Sequence, residues 1–299
     1  MRPTLIVITG ATASGKTAVA LDVAARLGCH IISADSRQIY RGMPVGTAAP
    51  TPAELAAVPH HFVGTLDIGD YYSAARFEED VMALLPRLWA RCPYAVMCGG
   101  SMMYVDAVTD GIDELPTISA EVRDRVRGLL ADHGPGGLMA LLENLDPEYA
   151  AQVDPANIKR VAHAVEISIQ AGQPYSRLRV GQRKERPFNI VKVAVDMPRD
   201  ELFGCINRRV GLMMEQGLLD EARRLYPMRH LNALNTVGYK ELFAYFDGEM
   251  DLDTAVARIA KNTRVYAKKQ LTWLARPTVR PTVFLPPDTI ADRIVGMVI

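Results

Sequence analysis

Gly10-Ala11-Thr12-Ala13-Ser14-Gly15-Lys16-Thr17 follows the apolar run Leu5-Ile6-Val7-Ile8 and precedes a helical pattern from Ala18 to Leu27. Strand, glycine-rich turn and helix, in that order, are the context in which this string acts as a P-loop. Glycine lets the backbone close tightly around an anion. Successive N–H groups and the helix N-terminus then point at phosphate oxygens. Lys16 adds a full positive charge, and the Thr17 hydroxyl is placed to bind Mg²⁺ or a phosphate oxygen. Spacing and context agree, which separates this stretch from a plain glycine turn. They specify phosphate without specifying a nucleotide.

With 299 residues, 49% hydrophobic and 23% charged, the composition is that of an ordinary soluble globular protein, with one large core or two. Met1-Arg2-Pro3-Thr4 leads straight into the first strand, which leaves no room for a secretory signal. No apolar run reaches transmembrane length. A cytoplasmic protein with no membrane contact is expected. Cys29, Cys92, Cys98 and Cys205 form no Cys-x-x-Cys pair and read as buried thiols in a reducing compartment. The net charge of zero argues against a general basic excess for nucleic acid. Two local runs stand out all the same: 258–280 holds seven basic residues and no acid, and 177–192 holds six against Glu185 alone.

Beyond the first helix, His30-Ile31-Ile32-Ser33-Ala34-Asp35 reads as a short buried strand. Its polar continuation, Asp35-Ser36-Arg37-Gln38, emerges at the carboxyl edge, where open α/β sheets bind ligands. Asp35 and Lys16 should therefore face one crevice, although Asp35 also suits a cap on the next turn. Residues 42–64 read as a long loop containing His60 and His61, which point different ways and suit a structural role. Tyr72 to Arg91 is helical. Tyr94 to Cys98 is another buried strand, and its end, Gly99-Gly100-Ser101, permits close approach to a ligand. Between residues 115 and 189 no strand appears until Ile190. This stretch reads as an all-helical insertion, broken at Gly134-Pro135-Gly136-Gly137, in an α/β core made of residues 1–114 and 190–299. A long helix from Arg199 to about Leu225 carries Arg208 and Arg209. A basic helix spans Thr254 to Leu274, with Tyr266 and Trp273 expected in the core. Thr282-Val283-Phe284-Leu285 reads as a last strand.

A P-loop, a carboxylate at the second strand, a hydroxyl at another and an arginine-bearing helix suit transfer chemistry on a diphosphate or triphosphate. A small-molecule or nucleotide kinase is one reading. The other uses the loop to hold the leaving diphosphate of an alkyl donor. A P-loop regulator without catalysis would not account for Asp35 at the phosphate site.

The particular strings resemble the tRNA dimethylallyltransferases, also called tRNA isopentenyltransferases. They are the P-loop itself, Ile32 to Tyr40, Val45 to Ala48, Gly99 to Tyr104, Lys159-Arg160-Val161, Val237 to Glu241, and Thr263-Arg264-x-Tyr266-Ala267-Lys268-Lys269-Gln270-x-Thr272-Trp273. They run in family order across nearly the whole chain. The resemblance implies a P-loop kinase-like parallel-sheet core with a helical insertion that grips an anticodon stem-loop. It implies transfer of a dimethylallyl group from dimethylallyl diphosphate to the exocyclic amine of the adenine 3′ of the anticodon, in tRNAs reading codons that begin with U. Asp35 would be the base and Ser101 would orient the amine. Gly10 to Thr17 would hold the diphosphate, with Lys16, Thr17, Mg²⁺ and Arg209 stabilising its charge, and nucleotide binding is a family attribute of the same loop. Asp35, Ser36, Arg37, Gln38, Ser101, Arg123, Lys159, Arg160, Val161, Ala162 and His163 would contact the tRNA, and the chain would act as a monomer. Three departures matter. Ser101 replaces a usual threonine and keeps the hydroxyl. Ala48 replaces a common lysine and removes one phosphate contact. His163 replaces a usual arginine, which implies a weaker or pH-dependent contact.

Overall fold

The computed structural model describes residues 2–276, 282–287 and 289–299. Its sheet is built from β1 (Thr4–Gly10), β2 (Ile31–Ser33), β3 (His60–His61), β4 (Tyr94–Cys98), β5 (Asn189–Val195) and β6 (Val283–Leu285). All pair in parallel, in the order β3-β2-β4-β1-β5-β6. Every residue of β1 is buried, as expected of a parallel strand covered on both faces, and this is why it reads as an unbroken apolar run. Ile8 of β1 and Ser33 of β2 both pair with Cys98 of β4. The chain segments leaving β2, β4 and β1 therefore emerge side by side.

Two helical layers cover the sheet. The helices before the insertion are α1 (Lys16–Leu27), α2 (Pro52–Ala57), α3 (Ala74–Trp89) and α4 (Met102–Asp110). The insertion carries α5 (Ala120–Leu145), α6 (Pro147–Ala150), α7 (Ile158–Ala171) and α8 (Tyr175–Leu178). The return brings α9 (Arg199–Glu215), α10 (Leu218–Leu225), α11 (Tyr239–Phe246), α12 (Leu252–Leu274) and α13 (Ile290–Val298). On one face Val19, Ala20, Val23 and Ala24 of α1 join Ile290 and Ile294 of α13 over Ile6, Ile8, Val96 and Val193. On the other, Phe77, Val81 and Leu85 of α3, Val105 and Val108 of α4, and Trp273 and Leu274 of α12 cover Leu5, Val7, Ala95 and Met97. A third cluster packs α10, α11 and α12 against Ile39, Tyr40 and Met43.

Several sequence expectations need correction. The 42–64 stretch is not only loop: a capping box at Thr51 and Glu54 starts α2, and His60–His61 pair as edge strand β3. His61 Nε2 lies 2.9 Å from His30 Nδ1. The 199–225 helix is two, because Gly217 breaks it in a left-handed conformation (φ 92°). The expected break at Gly134-Pro135 is present: Gly134 is non-helical (φ 65°, ψ −172°), so α5 is two helical segments joined across a kink. Cys29 and Cys98 are buried and Cys92 and Cys205 only partly so, all as free thiols. Arg280, the last of the basic run 258–280, lies outside the described residues. Among the described residues no helix is long and apolar enough to cross a membrane.

The chain divides into an α/β unit, Met1–Asp110 with Glu185–Ile299, and a helical unit, Gly111–Lys184. In the helical unit, Val126, Leu138 and Leu142 of α5 pack on Val161, Ala164 and Val165 of α7. Asp146, fully buried, accepts from the amides of Tyr149 (3.0 Å) and Ser176 (2.6 Å) and so joins the α6 cap to α8. The unit ends before residue 189 because the return segment is already committed to the α/β core. There Phe188 is buried, and Arg186 donates to Glu78 (2.6 Å) and to the Ala107 (2.6 Å) and Val108 (2.9 Å) carbonyls. Both side chains of this ion pair are less than a tenth exposed. Removing one partner leaves an uncompensated buried charge, so Glu78→Ala should cost about 3–5 kcal/mol in urea unfolding, with native-like circular dichroism below the transition.

Candidate active site

β1 delivers the chain into a turn whose backbone is set for an anion. Ala13 (φ 65°) and Gly15 (φ 85°) both adopt the left-handed region, and Gly15 caps α1, so the loop wraps towards the helix N-terminus. Lys16 Nζ donates to the Ala11 carbonyl at 3.2 Å. Burial pushes the Lys16 ammonium below the ordinary lysine value, with Arg209 adding to the shift and Asp35 opposing it. Arg209, from α9, is depressed by burial in the same way, again opposed by Asp35. Two desolvated cations therefore share one nearby carboxylate. The site is short of negative charge, and an anionic ligand relieves it.

Beside the loop, β2 ends at Asp35. Its Oδ1 accepts from the amides of Arg37 (2.9 Å) and Gln38 (3.3 Å), an Asx-type turn that fixes the side chain. Oδ2 takes no hydrogen bond from the described residues, so the carboxylate both caps the turn and keeps an oxygen for chemistry. Between β2 and β1, β4 ends at Gly99-Gly100-Ser101. A side chain at Gly99 would fall on the Ala34 carbonyl, and one at Gly100 on the Gln270 amide, so only glycine lets these segments close up. Ser101 Oγ accepts from the Ser36 amide at 2.8 Å and donates to Ser36 Oγ at 3.2 Å.

These groups line one cavity of about 760 Å³. Thr12, Ala13, Gly15, Lys16 and Thr17 meet Asp35, Ser36, Arg37, Gln38, Ser101 and Arg209 there. The other loop positions serve the frame: Ala11 packs with Leu202, Ile206 and Ala267, and Gly10 and Ser14 lie beneath the loop. Arg123 and Lys159–His163 belong to the helical unit. Within it Val161 is 2% exposed and packs in the core, so it is a scaffold residue and not a contact, while Lys159, Arg160 and His163 are exposed on α7. His163 packs edge-on to Tyr175. Desolvation of its ring and the Arg123 charge lower its pKa from the usual histidine value.

Three residues of the α/β unit escaped sequence reasoning. Tyr266 was expected in the core, yet it is 38% exposed and is the only aromatic side chain among the described residues that line the cavity. Burial, reinforced by Asp35, raises its phenol to about 12. Gln270 is 2% exposed and reaches both the P-loop and Gly100. The helical spacing of Ile259, Thr263, Tyr266 and Gln270 on α12, all lining the cavity, was the available signal. Glu221 of α10 had no local signal. Its buried carboxylate accepts from the Val45 (3.0 Å) and Gly46 (2.7 Å) amides and the Tyr239 hydroxyl (2.7 Å). Gln38 grips the same segment through the Thr47 and Ala48 carbonyls.

A P-loop, two flanking cations, and a carboxylate and hydroxyl at the adjoining strand ends define a P-loop transferase site at the carboxyl edge of the sheet. A family model described as IPP transferase matches residues 38–277. The chain is 54% identical over 288 residues to tRNA dimethylallyltransferase 2 of Parabacteroides distasonis, covering 96% of each. It is similar to the full-length tRNA isopentenylpyrophosphate transferase of Bacillus halodurans (TM-score 0.71, 33% identity, 99% of this chain and 96% of that one). It shares its fold with a eukaryotic dimethylallyltransferase acting on tRNA (TM-score 0.81, 22% identity, 99% of this chain and 77% of that one). The chain belongs to the IPP transferase family, the tRNA dimethylallyltransferases.

Glu221→Ala would strand two amides and a phenol. Each stranded group costs about 1–3 kcal/mol, and the 43–50 segment should become a protease-sensitive site while the core stays protected. A cleavage pattern and urea midpoint equal to wild type would contradict its anchoring role.

Proposed function

We propose that this protein transfers a dimethylallyl group from dimethylallyl diphosphate to the exocyclic amine of the adenine 3′ of the anticodon, in tRNAs reading codons that begin with U. The observation that carries the reading is that Lys16 and Arg209 share one cavity with Asp35. The cations suit a diphosphate, and the carboxylate suits a proton that must leave a nearby nucleophile.

An adenine amine is a weak nucleophile because its lone pair is delocalised into the ring. Its nitrogen attacks the allylic carbon that bears the diphosphate. The carbon–oxygen bond breaks, and its electron pair departs on the diphosphate. The nitrogen, now positive, loses a proton to Asp35, and Ser101 orients the amine. Lys16, Arg209 and the loop N–H groups stabilise the growing charge on the leaving diphosphate. Among the described residues no cluster of His, Cys, Asp or Glu could hold a metal unaided. The Thr17 hydroxyl is the protein group that would hold Mg²⁺, an ion that prefers phosphate and water to an all-protein cage. When bound, it neutralises diphosphate charge. To reach the cavity the target base leaves its loop stack. Arg37, Gln38, Arg123, Lys159, Arg160 and His163 are the tRNA contacts of this reading. One chain supplies both the loop and the base, so this reading needs no second copy for its site.

In single-turnover reactions with an anticodon stem-loop RNA, Asp35→Ala should slow transfer by roughly 10²–10⁴ while both substrates still bind. A rate near wild type would remove Asp35 from the chemistry. For the helical unit, the double variant Lys159→Ala/Arg160→Ala should weaken tRNA binding and lower the salt dependence of log K by about 1–2, as expected for lost phosphate contacts. Donor binding should not change. An unaltered salt slope would take α7 out of the RNA interface.

A further inference from the structure

Resting on that reading, we propose that Gln270 is a positioning residue that sets the distance between donor and acceptor. It holds the P-loop and the Gly100 turn in one fixed relation, and α12 acts as the strut behind it. Transfer needs the allylic carbon and the amine nitrogen at near-attack separation, about 3–3.5 Å. The donor is held by the P-loop and the acceptor by Asp35 and Ser101, which leave different strands. Gln270 comes from neither. Its Oε1 accepts from the Thr12 amide at 2.8 Å, and its Nε2 donates to the Gly100 carbonyl at 2.9 Å. The side chain is 2% exposed. Both functions of one amide are thus used, one on each loop, in a dry setting where a lost bond is not replaced by water. Gly100 has no side chain where this amide passes, so the close approach is built in from both sides.

A strut must itself be fixed, and α12 is fixed one turn further on. Trp273 Nε1 donates to Asp106 Oδ2 of α4 at 2.9 Å. Its ring lies 4.6 Å from the buried ammonium of Lys192 on β5, which faces Asp106 at 3.9 Å. Strand β5, α4 and α12 are locked together behind the cavity, and the register of α12 fixes where Gln270 stands. Cross-braces Thr9 Oγ1 to Gly99 O (3.1 Å) and Cys98 Sγ to Lys16 O (3.6 Å) join the strand ends nearby. Neither of them reaches the tip of the loop.

Gln270→Met keeps the volume and loses both hydrogen bonds. Trp273→Phe keeps an aromatic ring but loses the bond to Asp106 and part of the packing against Lys192, far from either substrate. The experiment follows dimethylallyl diphosphate and a stem-loop RNA in Mg²⁺ and reads kcat, the binding constant of each substrate measured alone, and the fate of the donor. Loss of the set distance lets water replace the amine: water attacks the allylic carbon, diphosphate leaves, and dimethylallyl alcohol forms after loss of a proton. Gln270→Met should lower kcat roughly 10²-fold, the order expected of a misplacement near 1 Å, with both binding constants unchanged and a larger share of donor going to the alcohol. Trp273→Phe should show the same signature more weakly, and it carries the test if Gln270→Met does not fold. A folded Gln270→Met, or Trp273→Phe in its place, with wild-type kcat and a wild-type ratio of prenylated RNA to alcohol overturns the inference. So does a rate loss accounted for wholly by weaker binding of one substrate. Absence of transfer by the wild-type protein would instead overturn the function on which the inference rests.

Discussion

Two cations, Lys16 and Arg209, line one cavity with Asp35, and desolvation lowers the pKa of both. A folded chain rarely keeps such an arrangement without a use for it, because desolvated like charges oppose folding. The molecule builds it with rigid parts. The helix N-terminus and loop amides follow β1, Asp35 is pinned by its own turn after β2, and Arg209 is presented by α9. In the proposed reaction a diphosphate would complete the charge balance, and the imbalance left when it departs is part of what that reaction must manage.

The placement of these groups depends on a packing constraint. Three strand ends must lie closer than side chains normally allow, and Gly99 and Gly100 are where the chain gives way. The β2-β4-β1 order then puts the acceptor segment, the glycine turn and the P-loop in consecutive positions at one edge. Besides the 46–54 segment, the rest of the cavity lining arrives from the C-terminal part of the α/β unit. α9 brings Arg209, α12 brings Tyr266 and Gln270, and α10 anchors the 45–48 segment through Glu221. The chain thus assembles the site from its first hundred residues and closes it with its last hundred.

The first half of that assembly was legible in the sequence, because each part announces itself locally. A buried parallel strand is an apolar run, a phosphate loop has fixed spacing, and a polar residue straight after such a run must sit at the sheet edge. Lys16, Thr17, Asp35 and Ser101 follow from those rules and do share a cavity. The second half was hidden because its partners are distant in the chain. Nothing near Glu221 or Gln270 tells that one will meet Gly46 and the other Thr12. Tyr266 was hidden for another reason: on an amphipathic helix, a residue facing a cavity and one facing a core share the same periodicity. The long loop expected before α3 hid a short helix and an edge strand that are too brief to carry a period. Val161 sits among exposed basic residues in sequence but on the opposite face of α7.

The central claim is that the P-loop holds the diphosphate of an allylic donor, not a nucleotide whose phosphoryl group is transferred. The most direct measurement is mass spectrometry of an anticodon stem-loop RNA after incubation with the protein and Mg²⁺, with either dimethylallyl diphosphate or ATP as the only donor. The allylic donor should add one five-carbon unit to the adenine 3′ of the anticodon, and the addition should fade when Lys16 is replaced by alanine. ATP should leave the RNA and small acceptors unphosphorylated. An RNA unchanged by the allylic donor, together with ATP consumed against a small acceptor, would contradict the account.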